Sequence, residues 1–502
     1  MPVAPISSPP FSLRQQPHLY EINAWAWLEQ LSTKLGRKIN LAGVPDSEWD
    51  AIAQLGFDAV WLMGIWQRSP ISRNITLEDP ANFSAFELAL PGWTPADVVG
   101  SPYSVVRYVP DSRIGTWDAL DQAREKLHAR KMALFVDFVG NHTARDNSWV
   151  HDHPEFYVQG SQLDFETNPS LFFQANTAQG PRYIALAKDP YFPPWTDVAQ
   201  LNHFQPELRT ARLAELRTIA LHADGIRCDM AMLQLNDIFG RNWGHLVGNS
   251  PPPPKEFWTE VRDAVPNLVL LAEAYWGTEP RLIDLGFSFA YDKTLYDAAR
   301  NAYVGAIHAR LSGDQHEQNH YARFLENHDE PRRAEAFPND RLPAVGTLMG
   351  TLPGMRFYQQ GEIEGSRIRL PISLRMAADE PVDLYSSTFF HKILALSRED
   401  VFHDGRWSML DVAGEGYTSP AGLLVYEWRS NQGWKIIAVN LVAGASQGRV
   451  HLADRVSAAK QYIFYDQLNE VRYDRSGTEL HDVGLFIRLE GFQAHIFDIT
   501  PA

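Results

Sequence analysis

Two rhythms of apolar residues alternate along this chain. Short runs rich in β-branched and aromatic residues recur between longer stretches whose apolar positions return every three or four residues. That alternation is the pattern of β and α units wound around a parallel sheet. Eight strand runs can be placed, at residues 19–25, 59–64, 133–139, 225–229, 268–273, 287–291, 323–327 and 355–358. Between them the helical periodicity predicts helices over 117–130, 206–222, 256–264 and 341–348. Eight parallel strands, each followed by a helix, close into a (β/α)8 TIM barrel with its active site at the strand C-terminal ends. The expected fold class is therefore α/β.

Two connections are far longer than the usual few residues, and long ordered loops in compact domains commonly carry function. One spans roughly residues 67–115. The other, roughly 143–200, is rich in aromatic residues, Pro and Asn, and reads as an excursion domain after strand 3. The run from Asn249 to Pro254 reads as a stiff exposed linker. Beyond about residue 398 the rhythm changes to alternating strands at 422–428, 434–440, 449–452, 461–465 and 494–499, which predicts a C-terminal antiparallel β domain, a sandwich. The resulting division is 1–142 and 201–398 for the two parts of the barrel, 143–200 for the excursion domain and 399–502 for the C-terminal β-sandwich.

Composition narrows the function classes. A chain of 502 residues with 45% hydrophobic content can bury a large core. A formal net charge of -16 repels phosphate backbones and anionic lipid, which argues against nucleic acid and membrane surfaces as partners. The single cysteine, Cys228, forms no internal disulfide, and the opening residues have neither a charged segment nor an apolar one of secretory type. A cytoplasmic protein is expected. The 15 tryptophans suit a neutral substrate, because aromatic faces stack on the apolar faces of sugar rings, although most of them also serve a core of this size.

Four of the predicted strands finish in polar residues: Asp137 to His142 after strand 3, Arg227-Cys228-Asp229 on strand 4, Glu273 on strand 5, and Asn327-His328-Asp329 after strand 7. An apolar barrel strand has no packing reason to end in a carboxylate, so four such endings point to a shared site. In order, the segments Val136–Thr143, Gly225–Ala231, Leu271–Tyr275 and Phe324–Asp329 resemble the four sequence signatures of the α-amylase family, glycoside hydrolase family thirteen. Lesser matches are Gly100–Ser104 and the strand-8 segment Gly354–Glu362. The resemblance covers about residues 18–365.

Retaining cleavage of a glycoside needs one carboxylate to attack the anomeric carbon and one carboxylic acid to protonate the leaving oxygen. Asp229 and Glu273, on neighbouring strands, meet that need. The resemblance assigns Asp229 as nucleophile, Glu273 as general acid/base and Asp329 as an electrostatic stabiliser of the transition state. It also implies that His142 and His328 hydrogen-bond the sugar, that Tyr103 stacks on it, and that Asp137 supports the first strand ending. Arg227, on the same strand face as Asp229, is expected to keep Asp229 ionised while neighbouring negative charge holds a proton on Glu273. Cys228 then points away from the site.

No redox or organic cofactor is required. Asn141 resembles a position that ligates calcium in many amylases together with a carboxylate of the excursion domain, so a structural calcium is a candidate, although one Asn supplies only one of six to eight oxygens. Many relatives carry Lys-His where this chain has Met232-Leu233, and Pro where it has Gly140. An apolar wall at 232–233 is expected to favour short oligosaccharides and sugar acceptors. The expected activity is retaining hydrolysis of α-glucosidic bonds in malto-oligosaccharides or related α-glucans. An α-glucan transglycosidase (a glucanotransferase, a branching or a trehalose-forming enzyme) and a catalytically silent glycan-binding barrel stand as alternatives.

Overall fold

The computed structural model describes residues 11–248, 251–415 and 419–502. Eight strands close a parallel barrel: β1 (His18–Asn23), β2 (Ala59–Met63), β3 (Ala133–Val139), β4 (Gly225–Asp229), β5 (Val269–Ala272), β6 (Phe289–Tyr291), β7 (Tyr321–Arg323) and β8 (Met355–Gln359). β1 pairs with both β2 and β8, so no edge is left open. β3 is buried along its whole length, as expected of a parallel strand covered on both faces. Strand 7 differs from expectation. Its ladder ends at Arg323, and the buried apolar residues Phe324 and Leu325 follow outside the paired strand, with a bend at Leu325.

The connection after β2 is an ordered insertion. Trp66–Arg68 pairs antiparallel with Val105–Pro110, and the helices Pro70–Glu78 and Phe83–Ala89 fill the interval. The excursion after β3 opens and closes on a single seam, where His142–Ala144 pairs antiparallel with Val198–Gln200 and sets His142 opposite Gln200. Within it, Gln159–Gly160, Gly180–Ala185 and Phe172–Thr177 form a three-stranded antiparallel sheet. Asn249 and Ser250 of the expected linker lie outside the described residues, and Pro251 to Pro254 run without regular structure.

The C-terminal region forms a six-stranded antiparallel sheet facing a three-stranded one. Its strands include four that the periodicity did not reveal: Arg406–Leu410, Val412–Gly414, Val471–Ser476 and Leu485–Leu489. Alternation along Leu423–Arg429 joins this domain to the barrel. Leu423 and Val425 enter the core between the two sheets, while Leu424, Tyr426 and Trp428 join the barrel core. Trp428 Nε1 donates to the Thr351 carbonyl at 2.7 Å, which satisfies the indole in a buried contact. Among the described residues no helix is long and apolar enough to cross a membrane.

Candidate active site

Strand register assembles the centre of the site. β4 sets Arg227 beside Asp137 and Asp229 beside Val139 of β3, while Cys228 lies beside Ala272 of β5. The next residue of β5, Glu273, donates its N–H to the Cys228 carbonyl at 3.0 Å and so stands next to Asp229. Because side chains alternate along a strand, Arg227 and Asp229 share a face, and Cys228 between them is fully buried in the core.

One guanidinium organises the carboxylates. Arg227 is 0% exposed; its Nη1 lies 2.8 Å from Asp229 Oδ1 and 3.8 Å from Asp137 Oδ1, and its Nη2 lies 2.8 Å from Glu273 Oε2. The same group lies 5.3 Å from the Trp61 ring centroid and 5.2 Å from that of Tyr103. Glu273 is further held by the Met230 N–H, which donates to Oε2 at 2.7 Å, and by the Tyr275 hydroxyl, which donates to Oε1 at 2.7 Å.

Asp329 and His328 arrive from the loop beyond β7. Asn327 shapes that loop: its side-chain oxygen accepts from the N–H groups of Asp329 at 2.9 Å and Glu330 at 3.1 Å, an Asx turn. His328 sits between two carboxylates, with Nδ1 on Glu21 of β1 and Nε2 3.0 Å from Asp329 Oδ2. The Tyr103 hydroxyl lies 2.6 Å from the same Nε2, and the Tyr103 ring stacks on the imidazole with centroids 5.3 Å apart. His142 stands on the excursion side, its ring 5.4 Å from that of Trp195.

Too few cations for the negative groups set the proton positions. Burial, reinforced by the charges of Asp229 and Asp329 and opposed by Arg227, lifts Glu273 to about 7. Burial likewise lifts Asp137 to about 6 against the pull of Arg227. Asp229 also moves upward: burial, with the charges of Asp329 and Asp137, outweighs Arg227, so the arginine restrains the shift that it was expected to reverse. The protein around Asp329 disfavours its charge, yet His328 holds it at about 2, and 47% of that side chain stays exposed. His328 pays the reciprocal part: burial opposes its charge, but Asp329 and Glu21 raise it well above the usual imidazole range. His142, without such partners, is pushed by burial down to about 4. The arrangement can therefore offer a proton on one carboxyl beside an ionisable neighbour.

The profile of the alpha-amylase catalytic domain matches residues 40–369. The chain belongs to the alpha-amylase family. Alpha-amylase 3 of Dictyoglomus thermophilum is 25% identical over 284 residues, which are 50% of this chain and 52% of that protein, so the match spans about half the length of this curated relative. A maltogenic alpha-amylase from Thermotoga neapolitana shares the fold with a TM-score of 0.65 at 18% identity over 96% of this chain and 98% of that one. A mutant trehalulose synthase does so with a TM-score of 0.64 at 14% identity over 97% and 99%.

Against the family pattern, the seam around Asn141 does not fit calcium. The excursion residue that meets Asn141 is Gln200, not a carboxylate, and its Nε2 donates to Asn141 O at 3.1 Å, Asn141 Oδ1 at 3.0 Å and Leu201 O at 3.0 Å. An N–H donor thus stands among the oxygens that a cation would need. Among the described residues no three His, Cys, Asp or Glu side chains converge as a metal-binding group.

The apolar wall expected at Met232-Leu233 is corrected: these side chains are 0% and 2% exposed and belong to the barrel core, not to the cleft surface. Gly140 has a steric reason. A Cβ there would lie 2.3 Å from Gln234 Oε1 and 2.5 Å from its Nε2, so the buried glutamine fills the space that a side chain at 140 would need. Sequence reading gave no role to Glu21, Trp61 or Tyr275. Tyr275 lies inside a family-like segment and so had a signal, whereas Glu21 sits within β1, not at its end, and had none.

Proposed function

We propose that the chain is a retaining α-glycosidase that hydrolyses α-glucosidic bonds of malto-oligosaccharides or related α-glucans by double displacement. The observation that carries this reading is the single Arg227 guanidinium shared by Asp229 and Glu273, two adjacent carboxyls of which one is lifted to about 7. Glu273 in its protonated form donates to the leaving glycosidic oxygen while the Asp229 carboxylate attacks the anomeric carbon. The resulting glycosyl ester is then opened by water, from which Glu273, now ionised, takes a proton. The Asp329 carboxylate, kept charged by His328, faces the positive charge that develops on the sugar ring.

Asp229→Asn and Glu273→Gln are each expected to lower turnover on maltoheptaose by several orders of magnitude with little change in folding. In the Glu273 variant an activated aryl α-glucoside restores the first step, and azide, entering in place of water on the β-linked glycosyl-enzyme, gives an α-glycosyl azide. Near-wild-type turnover of an unactivated oligosaccharide by that variant removes Glu273 from the acid role. Products longer than the donor at high concentration measure how far sugar hydroxyls compete with water for the same intermediate.

A further inference from the structure

The chain beyond β8 does not turn straight back to the barrel wall. Residues 366–375 run without helix or strand from the end of β8 to the insertion that follows β2. Backbone contacts fasten them there. Val98 pairs with Leu374 in an isolated antiparallel bridge, the Val99 N–H donates to Ser373 O at 2.7 Å, and the Arg375 N–H donates to Asp97 O at 2.9 Å. Leu374 is 0% exposed, in a small apolar cluster with Phe86, Ala89 and Val98 of the insertion. The segment is a strap packed onto its landing site.

Side chains hold the strap along its length. The buried Arg68 of the insertion donates from Nη1 to Gly100 O at 2.7 Å and to Ile372 O at 3.1 Å, so one guanidinium ties the strap to the stretch of chain that leads into Tyr103. Arg375 pairs with Asp97 at 2.8 Å and with Glu29, on the helix that follows β1, also at 2.8 Å. Nearer β8, Arg369 Nη1 donates to the Asp329 carbonyl at 2.7 Å. The strap therefore passes from the Asp329 loop, beside the helix of β1, to the wall that carries Tyr103.

Strand order tells which side of the site this crosses. β1 lies between β8 and β2 and stands directly across the ring from β5. Glu273, the proposed acid, follows β5, so the leaving sugar departs on the β5 side and the sugar transferred to Asp229 extends toward β1.

We infer that the strap shuts the glycone end of the cleft, so that the protein cuts α-glucans from their non-reducing ends and releases one short sugar of fixed length. The inference rests on the proposed retaining reading, which places the leaving group beside Glu273. A glucan cut within its length needs a path out of the cleft on both sides, and packed backbone crosses the path on the β1 side. A chain end needs only one way in. Arg369 stands exposed beside Asp329 at the closed end, and its remaining N–H donors have no protein partner among the described residues. Such donors suit the 4-hydroxyl that only a non-reducing end leaves free.

The test compares maltoheptaose with maltoheptaose whose non-reducing sugar is capped by an ethylidene bridge between O4 and O6. The wild type is expected to turn over the capped substrate about 100-fold more slowly or worse, because the cap meets the strap. From the uncapped substrate it should give, at the earliest times, a single short sugar and its matching remainder. Turnover of the capped substrate within about ten-fold of the uncapped one, or a spread of product lengths from the first cuts, overturns the inference. The triple variant Ile368→Gly, Arg369→Gly and Leu370→Gly keeps the length of the strap and removes its bulk beside Asp329. Where circular dichroism shows this variant folded, the ratio of capped to uncapped turnover should rise about ten-fold, and an unchanged ratio overturns the inference. Where it does not fold, the wild-type comparison decides alone. If the wild type cleaves neither substrate, the proposed function fails by itself, and calorimetric binding decides the strap. An affinity about ten-fold tighter for the uncapped sugar supports it, and equal affinities or no binding overturn it.

Discussion

Tyr275→Phe isolates one hydrogen bond in the candidate site while leaving the ring in place. The Tyr275 hydroxyl donates to Glu273 Oε1 at 2.7 Å, and it stabilises the ionised carboxylate over the neutral acid. A hydrogen bond to a charged group is worth about 1.5–3 kcal/mol, and one pKa unit corresponds to about 1.4 kcal/mol. Removing the donor should therefore raise Glu273 by about one to two units from its starting value of about 7, with the lower end favoured where water fills the gap. The sign is fixed by the role: a general acid must hold its proton in the free enzyme, so kcat/KM is lost as pH rises through the Glu273 value. The alkaline limb of the profile on a malto-oligosaccharide should lie near pH 7 in the wild type and move upward in the variant. Measurement of kcat/KM from pH 5 to pH 10 checks this, with circular dichroism confirming the fold at each end. An alkaline limb that stays in place or moves to lower pH refutes the reasoning, because it means either that the hydroxyl does not bond the ionised form or that Glu273 is not the group that titrates.

Two further outcomes follow from packing and from the seam. Gly140→Ala forces a Cβ into contact with the Gln234 amide, and such overpacking costs about 1–3 kcal/mol; the double variant with Gln234→Ala should recover most of the lost melting temperature, and equal loss in single and double variants contradicts the clash. Because Gln200 Nε2 occupies the oxygens around Asn141, EDTA is expected to leave the melting temperature and the activity nearly unchanged; a large drop restored by calcium disproves the donor arrangement.

The barrel was readable because parallel strands are buried on both faces. The runs predicted at 133–139 and 225–229 coincide with β3 and β4. At β7 the same logic misplaced the strand: Phe324 and Leu325 are as buried as any strand residue but lie past the last paired position, and burial leaves the same apolar signature whether or not the backbone is paired. The edge strand Val471–Ser476 was invisible for the opposite reason, since Arg472, Asp474 and Arg475 interrupt any apolar alternation. In the site, the residues of β4 and the strand endings were legible because two-residue spacing fixes which side chains share a face. Glu21 was not, because its partner His328 lies 307 residues away and the pair forms only when the barrel closes.

The amide of Gln200 makes the join between barrel and excursion a matter of stoichiometry fixed at synthesis. A bound ion holds two segments together only in the fraction of molecules that have captured it, and that fraction follows the surrounding ion concentration through a dissociation constant. A side chain on the polypeptide has no such constant. Its three hydrogen bonds to Asn141 and Leu201 form whenever the segment folds, in dilute or ion-poor surroundings as readily as in rich ones. The cleft edge that carries His142, opposite Gln200 in the same two-stranded seam, is thereby joined by bonds that the chain itself supplies.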